Sequence, residues 1–316
     1  MAGASIGNLY LEIEGKNGSR RRISESERLF FAGTFPTSAV HLLPIICGLT
    51  LKLRISAILF IFEAGVRKIL QHFRLGSGLD DEHICRLGEE IIGFRPRRVF
   101  CPGLRLEMQV DEKAAFANTL FFLNQTAFTN DYCLSNKNVW GKVFIDAGAN
   151  VGAFSLVAAR MGARRIYAFE PLFPTYKVLC RNIIANGLSG KVVPINCALG
   201  EAAGSGKLSY STSCDGGASL VALGSRRHAM QVKIRTVDGF MAKRGRLDFL
   251  KIDVEGFEAE VLRGARKTLA RFKPVLCFSA YHLPGDKERL PAAVMLIRPD
   301  YRCALHKGVD ENCYCD

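Results

Sequence analysis

Apolar and polar positions fall into two regimes along this chain. From about residue 141 onward, short apolar runs alternate with segments whose apolar residues recur every three or four positions. "KVFIDA", "RRIYAFE", "KVVPINCAL", "DFLKIDV" and "PVLCFSA" predict strands. "GAFSLVAARMG", "TYKVLCRNIIANG", "EAEVLRGARKTLARF" and a stretch around "ERLPAAVMLI" predict helices, the first closed by Gly162 and the second by Asn186-Gly187. "YRCALHK" and "ENCYCD" predict a closing hairpin. Apolar strands alternating with amphipathic helices mean an α/β fold with a doubly wound, mostly parallel sheet and ligands at the carboxyl ends of its strands. Residues 141–316 form that domain. The turn after the first strand, Glu170, Asp253 and His282 then lie along one edge.

Upstream the pattern is looser. Residues 81–140 read as a mixed linker or cap, with strand-like "RLEMQV" and helical "EKAAFANTLFFL". Residues 1–80 form an apolar and basic accessory segment. Its stretch "AVHLLPIICGLTLKLRISAILFIF" is interrupted by His41, Lys52 and Arg54, so it lacks the run of ~20 uncharged residues that a membrane-spanning helix needs. "SRRRIS" precedes an apolar stretch, but "ESER" follows it and no small-residue cleavage pattern is present. A packed helix or helix pair is expected. The competing reading is peripheral membrane contact through residues 38–70, with Lys52, Arg54, Arg67 and Lys68 among lipid headgroups.

Composition changes this picture little. Hydrophobic content of 48% and charged content of 23% suit a folded protein. A net charge of +13 is compatible with nucleic acid, an anionic membrane or an acidic substrate and selects none of them. The 11 cysteines show no repeated CxxC and no zinc spacing, so they are expected to be mostly reduced in a cytoplasmic protein. Cys313 and Cys315 supply only half a metal site.

The chemistry concentrates in "FIDAGANVGAF". A dinucleotide fingerprint wants GxGxxG, the middle glycine admitting a pyrophosphate. Here the turn reads Gly148-Ala149-Asn150-Val151-Gly152, with a side chain at that contact. Asp146, at the strand's end, would repel a pyrophosphate but suits a ligand with an ammonium and a sulfonium, opposite charges in contact being worth about 1–4 kcal/mol. S-adenosyl-L-methionine is such a ligand. Glu170 ends the second strand, where an acid accepts from both ribose hydroxyls. "NCALG" after the third strand offers Cys197 and Ala198 as small contacts to an adenine, and core packing explains them equally.

"FIDAGANVGAFSL", "YAFEPLFPTYKVLCRNIIANG", "TVDGF", "DFLKIDVEGFEAEVLRGA" and "AYHLPGD" together resemble the FkbM-type methyltransferase family over about residues 100–316. Asn150, which spoils the dinucleotide motif, fits this family's Asp-x-Gly-Ala-Asn-x-Gly turn. The resemblance implies a seven-stranded class I (Rossmann-like) methyltransferase fold, S-adenosylmethionine as cofactor and a hydroxyl oxygen as the usual acceptor.

Methyl transfer is an in-line displacement, so positioning the acceptor and removing its proton carry the chemistry. Asp253 is the first candidate to hold substrate or the methionine end, and His282 is a candidate general base titrating near neutrality, with Tyr281 and Asp286 as supports. Glu255 and Glu258 open a helix, where the dipole favours acids. With Asp253 they could hold a divalent cation, but no further ligand group is legible and no metal is assigned. Lys251 shares the strand face of Asp253 and is expected to pair with a buried acid. Residues 200–220 read as either a mobile loop over the acceptor or a surface hairpin, and Thr236 or Asp238 in "TVDGF" as a helix cap.

The expected activity is methylation of a small-molecule, glycan or lipid hydroxyl. Rival readings are a nicotinamide-dependent oxidoreductase and a non-catalytic membrane-associated module with this fold. Nucleic acid is disfavoured, because "DVEGF" lacks the Asn/Asp-Pro-Pro-aromatic run of base-amine methyltransferases and no basic stripe interleaves with aromatics.

Overall fold

The computed structural model describes residues 9–15, 18, 20–23, 96–109, 116–210, 217–221, 228–307 and 311–316. Most of the accessory segment, including the membrane-contact stretch 38–70, lies outside the described residues. Among the described residues no helix is long and apolar enough to cross a membrane. The chain divides into two compact units, Asn8–Asn124 and, apart from the first few residues, Gln125–Asp316.

The first unit holds strands β1 (Leu11–Gly15), β2 (Arg20–Ile23), β3 (Pro96–Cys101) and β4 (Leu106–Gln109), followed by helix α1 (Phe116–Leu123). The strands form an antiparallel sheet in the order β2-β1-β3-β4. Alternation puts Leu11 and Ile13 on one buried face with Val99 and Met108. Glu14 is buried in this sheet, and two cations hold it: its register partner Arg20, at 2.7 Å, and Arg98.

The second unit carries helix α2 (Asn136–Val139), β5 (Val143–Ala147), α3 (Ala153–Arg160), β6 (Arg165–Phe169), α4 (Phe173–Ala185) and β7 (Val192–Ile195). After these come β8 (Ala198–Leu199), β9 (Gly204–Tyr210), β10 (His228–Arg235), α5 (Val237–Met241), β11 (Phe249–Ile252), α6 (Glu258–Arg263) and α7 (Arg266–Phe272). The chain closes with β12 (Val275–Ser279), α8 (Asp286–Ile297), β13 (Cys303–Lys307) and β14 (Glu311–Cys315). Seven strands form the main sheet in the order β13-β14-β12-β11-β5-β6-β7. β12, β11, β5, β6 and β7 run parallel, and β14 is antiparallel to both β12 and β13. All four residues of β11 are buried, as expected for a strand covered on both faces.

Three expectations needed correction. "KVVPINCAL" is not one strand. It leaves the main sheet after Ile195, and Ala198–Leu199 join β9 and β10 in a separate three-stranded sheet. Asn196 marks the departure, its amide donating to the carbonyls of Glu170 and Pro171 at 2.8 and 3.1 Å. "EAEVLRGARKTLARF" is two helices, not one. Gly264 lies so close to the chain at Gly200 that a Cβ there would fall 2.0 Å from its carbonyl oxygen. Asp238 then caps the second helix from outside, accepting from the Lys267 and Thr268 amides at 3.0 and 2.7 Å and from the Thr268 hydroxyl at 2.7 Å. Asp238→Ala strips α7 of that cap, and urea denaturation should read a loss of about 1–2 kcal/mol; an unchanged midpoint would show the cap to be idle.

The third concerns the Cys313 and Cys315 pair, for among the described residues the cysteines are mostly reduced, as expected. Six described cysteines are free, but Cys303 and Cys315, directly opposite in the closing hairpin, are joined by a disulfide. Cys315 is therefore not half of a metal pair with Cys313. The expected cap at "TVDGF" is present, Thr236 Oγ1 accepting from the Gly239 amide at 2.9 Å. Within residues 200–220, β9 pairs antiparallel with β10, while residues 211–216 lie outside the described residues.

Candidate active site

In the main sheet the chain leaves β5 toward β6 and β7 on one side, then returns to β11 and β12 on the other. The switch point lies between β5 and β11, where open α/β sheets bind ligands beyond the carboxyl ends. The Gly148–Gly152 turn occupies that position. Gly148 has φ of +78°, and a Cβ there would sit 1.8 Å from the Asp253 carbonyl oxygen, so the exits of β5 and β11 meet backbone to backbone. Asn150 takes the left-handed region (φ 49°), with its Oδ1 accepting from the Val151 amide at 2.7 Å.

Glu170 fixes this turn to the chain beyond β6. Its Oε2 accepts from the Asn150 amide at 2.9 Å and its Oε1 from the Leu172 amide at 2.8 Å. A carboxylate has about four acceptor positions, so each oxygen keeps one for another donor. The residue is 6% exposed, and burial pushes its carboxyl up to about 7 against the pull of the two amides and of Lys251.

Asp146 is closed off from solvent. It is fully buried, Ser155 Oγ donates to its Oδ2 at 2.7 Å, and Lys251 Nζ lies 3.1 Å from its Oδ1. The reason is register: Lys251 and Asp146 are direct partners in the β5–β11 ladder. The expected pairing of Lys251 with a buried acid is thus observed, and the expected open carboxylate is not. Lys251 also donates to the Gly148 carbonyl at 2.6 Å and lies 3.7 Å from Asp253. Burial works against its charge, but Asp146 and Asp253 hold its pKa above the usual lysine value.

Asp253 follows β11. Ser279 Oγ donates to its Oδ1 at 2.9 Å and Tyr132 Oη to its Oδ2 at 3.1 Å. Burial opposes its ionisation, yet Lys251, His282 and these two hydroxyls hold its pKa below the ordinary range. His282 lies past the end of β12, in the turn before α8, and its side chain is 7% exposed. Its Nδ1 donates to Glu258 Oε1 at 2.9 Å, while Nε2 lies 3.5 Å from Glu255 Oε2 and 3.9 Å from Asp253 Oδ1. Burial disfavours the charged ring, but the flanking Glu255 and Glu258 outweigh it and raise the pKa to about 11. The two acids favour the charged ring, where the sequence suggests a base poised near neutrality.

Glu258, the first residue of α6, also accepts from the Val254 and Gly256 amides at 3.0 and 3.3 Å, so it organises the loop after β11. Glu255 sits in the left-handed region (φ 58°), and burial raises its carboxyl. Tyr281 packs against His282 with ring centroids 4.3 Å apart and planes tilted by 47°, whereas Asp286 is engaged with the Leu283 amide and Arg289. Ala198 packs in a small core cluster with Leu172, Leu208 and Val232, and Cys197 in the main core. Packing accounts for both. Tyr132 and Ser279 were not anticipated; Ser279, ending a predicted strand, had a positional signal, and Tyr132, 121 residues from Asp253, had none.

A parallel sheet ordered β7-β6-β5-β11-β12, closed by the antiparallel β14 beside β13, with a glycine turn after β5 and an acid after β6, defines the class I methyltransferase-like (Rossmann-like) architecture. The methyltransferase FkbM domain model matches residues 146–303. The chain belongs to the FkbM methyltransferase family. It is 32% identical over 184 residues to methyltransferase sdnD of Sordaria araneosa, covering 45% of this chain and 68% of that protein. It is 28% identical over 185 residues to methyltransferase 1 of Beauveria bassiana (strain ARSEF 2860), covering 52% and 69%. A crystal structure of an FkbM methyltransferase from Methylobacillus flagellatus KT is similar at 21% identity and a TM-score of 0.46, over 63% of this chain and 54% of that one.

Proposed function

We propose that this protein transfers a methyl group from S-adenosyl-L-methionine to a hydroxyl oxygen of a small molecule, glycan or lipid. The observation that carries the reading is Glu170. Its carboxylate is fixed beside the glycine turn by two backbone amides and keeps acceptor capacity on both oxygens, which suits a vicinal diol such as a ribose. This chain's residues would bind and orient the cofactor and exclude water, since in-line transfer depends chiefly on alignment.

Titration with S-adenosylhomocysteine tests the reading. Glu170→Ala removes two anchors and the diol acceptor together, and affinity should fall by about 1–3 kcal/mol, roughly 5- to 150-fold. Binding of NADH in place of S-adenosylhomocysteine by the parent protein would overturn the proposal, and an unaltered titration in the variant would remove Glu170 from it. Mass spectrometry of extracts incubated with the enzyme and methyl-labelled cofactor identifies the acceptor class.

A further inference from the structure

The cluster beyond β11 and β12 holds three carboxylates, Asp253, Glu255 and Glu258, around a single imidazole. Two of its atoms are buried and lack a hydrogen-bond partner: His282 Nε2 and Glu258 Oε2. The separations explain the first. Nε2 stands 3.5 Å from Glu255 Oε2 and 3.9 Å from Asp253 Oδ1, at or beyond the limit for a useful hydrogen bond. They are, however, ordinary spacings between two donors on one cation, because ligand bonds of about 2.1 Å set neighbouring donors about 3.0–4.2 Å apart. The other ring nitrogen is already committed, Nδ1 donating to Glu258 Oε1 at 2.9 Å. A carboxylate on one nitrogen that fixes the tautomer and aims the second is the usual support of a metal-bound histidine.

We propose that Asp253, Glu255 and His282 Nε2 form a divalent-cation site, with Glu258 as the positioning residue behind the histidine. One nitrogen and two carboxylates suit first-row cations such as Mn2+ or Zn2+, the cation taking the place of the Nε2 proton, which leaves to solvent while Nδ1 keeps its own toward Glu258. Neighbouring donors support the arrangement: the Ser279 and Tyr132 hydroxyls restrain Asp253, and the Val254 and Gly256 amides restrain Glu258. Asp253 and Glu255 stand on the loop after β11 and His282 on the loop after β12, so a bound cation would tie these two loops together. Resting on the methyl-transfer reading above, the cation would serve the acceptor, since a hydroxyl bound to it gives up its proton more readily.

The test uses the full chain, stripped with a chelator and titrated with Mn2+ alone. The paramagnetic resonance of free Mn2+ reports occupancy, and nitrogen hyperfine modulation of the bound ion reports the imidazole. One Mn2+ per chain is expected, with the nitrogen signal. His282→Ala should abolish that signal and weaken binding at least 10-fold, Glu255→Gln should weaken binding similarly, and Glu258→Gln should weaken it by about 10- to 100-fold. Circular dichroism and S-adenosylhomocysteine titration accompany each variant. Glu255 is 26% exposed at the rim, so Glu255→Gln remains informative if His282→Ala does not fold. Absence of Mn2+ binding by the parent, a bound ion without nitrogen coupling, or equal affinity in parent and Glu255→Gln would each overturn the site. Loss of S-adenosylhomocysteine binding by the parent with Mn2+ binding intact would instead overturn the proposed function alone.

Discussion

Lys251→Met should unfold at a markedly lower urea concentration than the parent, a loss of about 3–5 kcal/mol, because it strands the Asp146 carboxylate. Asp146 is fully buried, and its remaining partner is the Ser155 hydroxyl. The same change removes the ammonium bonded to the Gly148 carbonyl and leaves Asp253 without its nearer cation. Methionine fits the apolar stem, so the loss reports charge more than volume. Asp146→Asn/Lys251→Met separates the two, since removing both charges leaves no uncompensated carboxylate at position 146. The double variant should therefore lose less than the single one. Equal midpoints for parent and Lys251→Met, or strictly additive losses, would mean the pair does not hold the ends of β5 and β11 together.

Gly148→Ala should be the most damaging substitution in the turn. Two effects add. A side chain at φ of +78° strains the backbone by about 1–2 kcal/mol. The new Cβ would also lie 1.8 Å from the Asp253 carbonyl oxygen, and a backbone atom cannot swing aside as a flexible side chain can. Gly187 supplies the control: its φ is +63°, and nothing stands within 4 Å of a Cβ built there. Gly187→Ala should cost about 1 kcal/mol, whereas Gly148→Ala should cost several kcal/mol more or push the two strand exits apart. Paired urea melts measure the difference, and S-adenosylhomocysteine affinity in whatever folds should fall at least 10-fold. Similar losses for the two variants would show that strain alone matters and that the close approach is relaxed.

The order of strands and helices in the main sheet was legible because each element carries its own period and its own punctuation, such as Gly162 and Asn186-Gly187, whereas β10 lay in an interval for which no strand is predicted. What escaped is nonlocal. The break at Gly264 depends on Gly200, 64 residues earlier, and on capping by Asp238. The departure of Ala198 into a second sheet depends on β10. Strands β1 and β2 were not anticipated within the accessory segment, because Leu11-Glu12-Ile13-Glu14 alternates over too few residues to stand out and "RRRI" does not alternate at all. Candidate residues were found by type and position, but their charge states were not. Asp146 reads as an open carboxylate until register sets Lys251 beside it, and His282 reads as a base until two acids from the loop after β11 and the start of α6 enclose its ring.

The last two strands lie farthest from the switch point. Bonding Cys303 to Cys315 turns residues 303–315 into a covalent ring, suspended from β12 by the ladder along β14. Among the described residues, β13 is the outermost strand on that side of the sheet, the kind of edge on which a foreign chain can add itself. The covalent ring ties β13 to β14 at the Cys303–Cys315 rung, so the two strands cannot fray apart there.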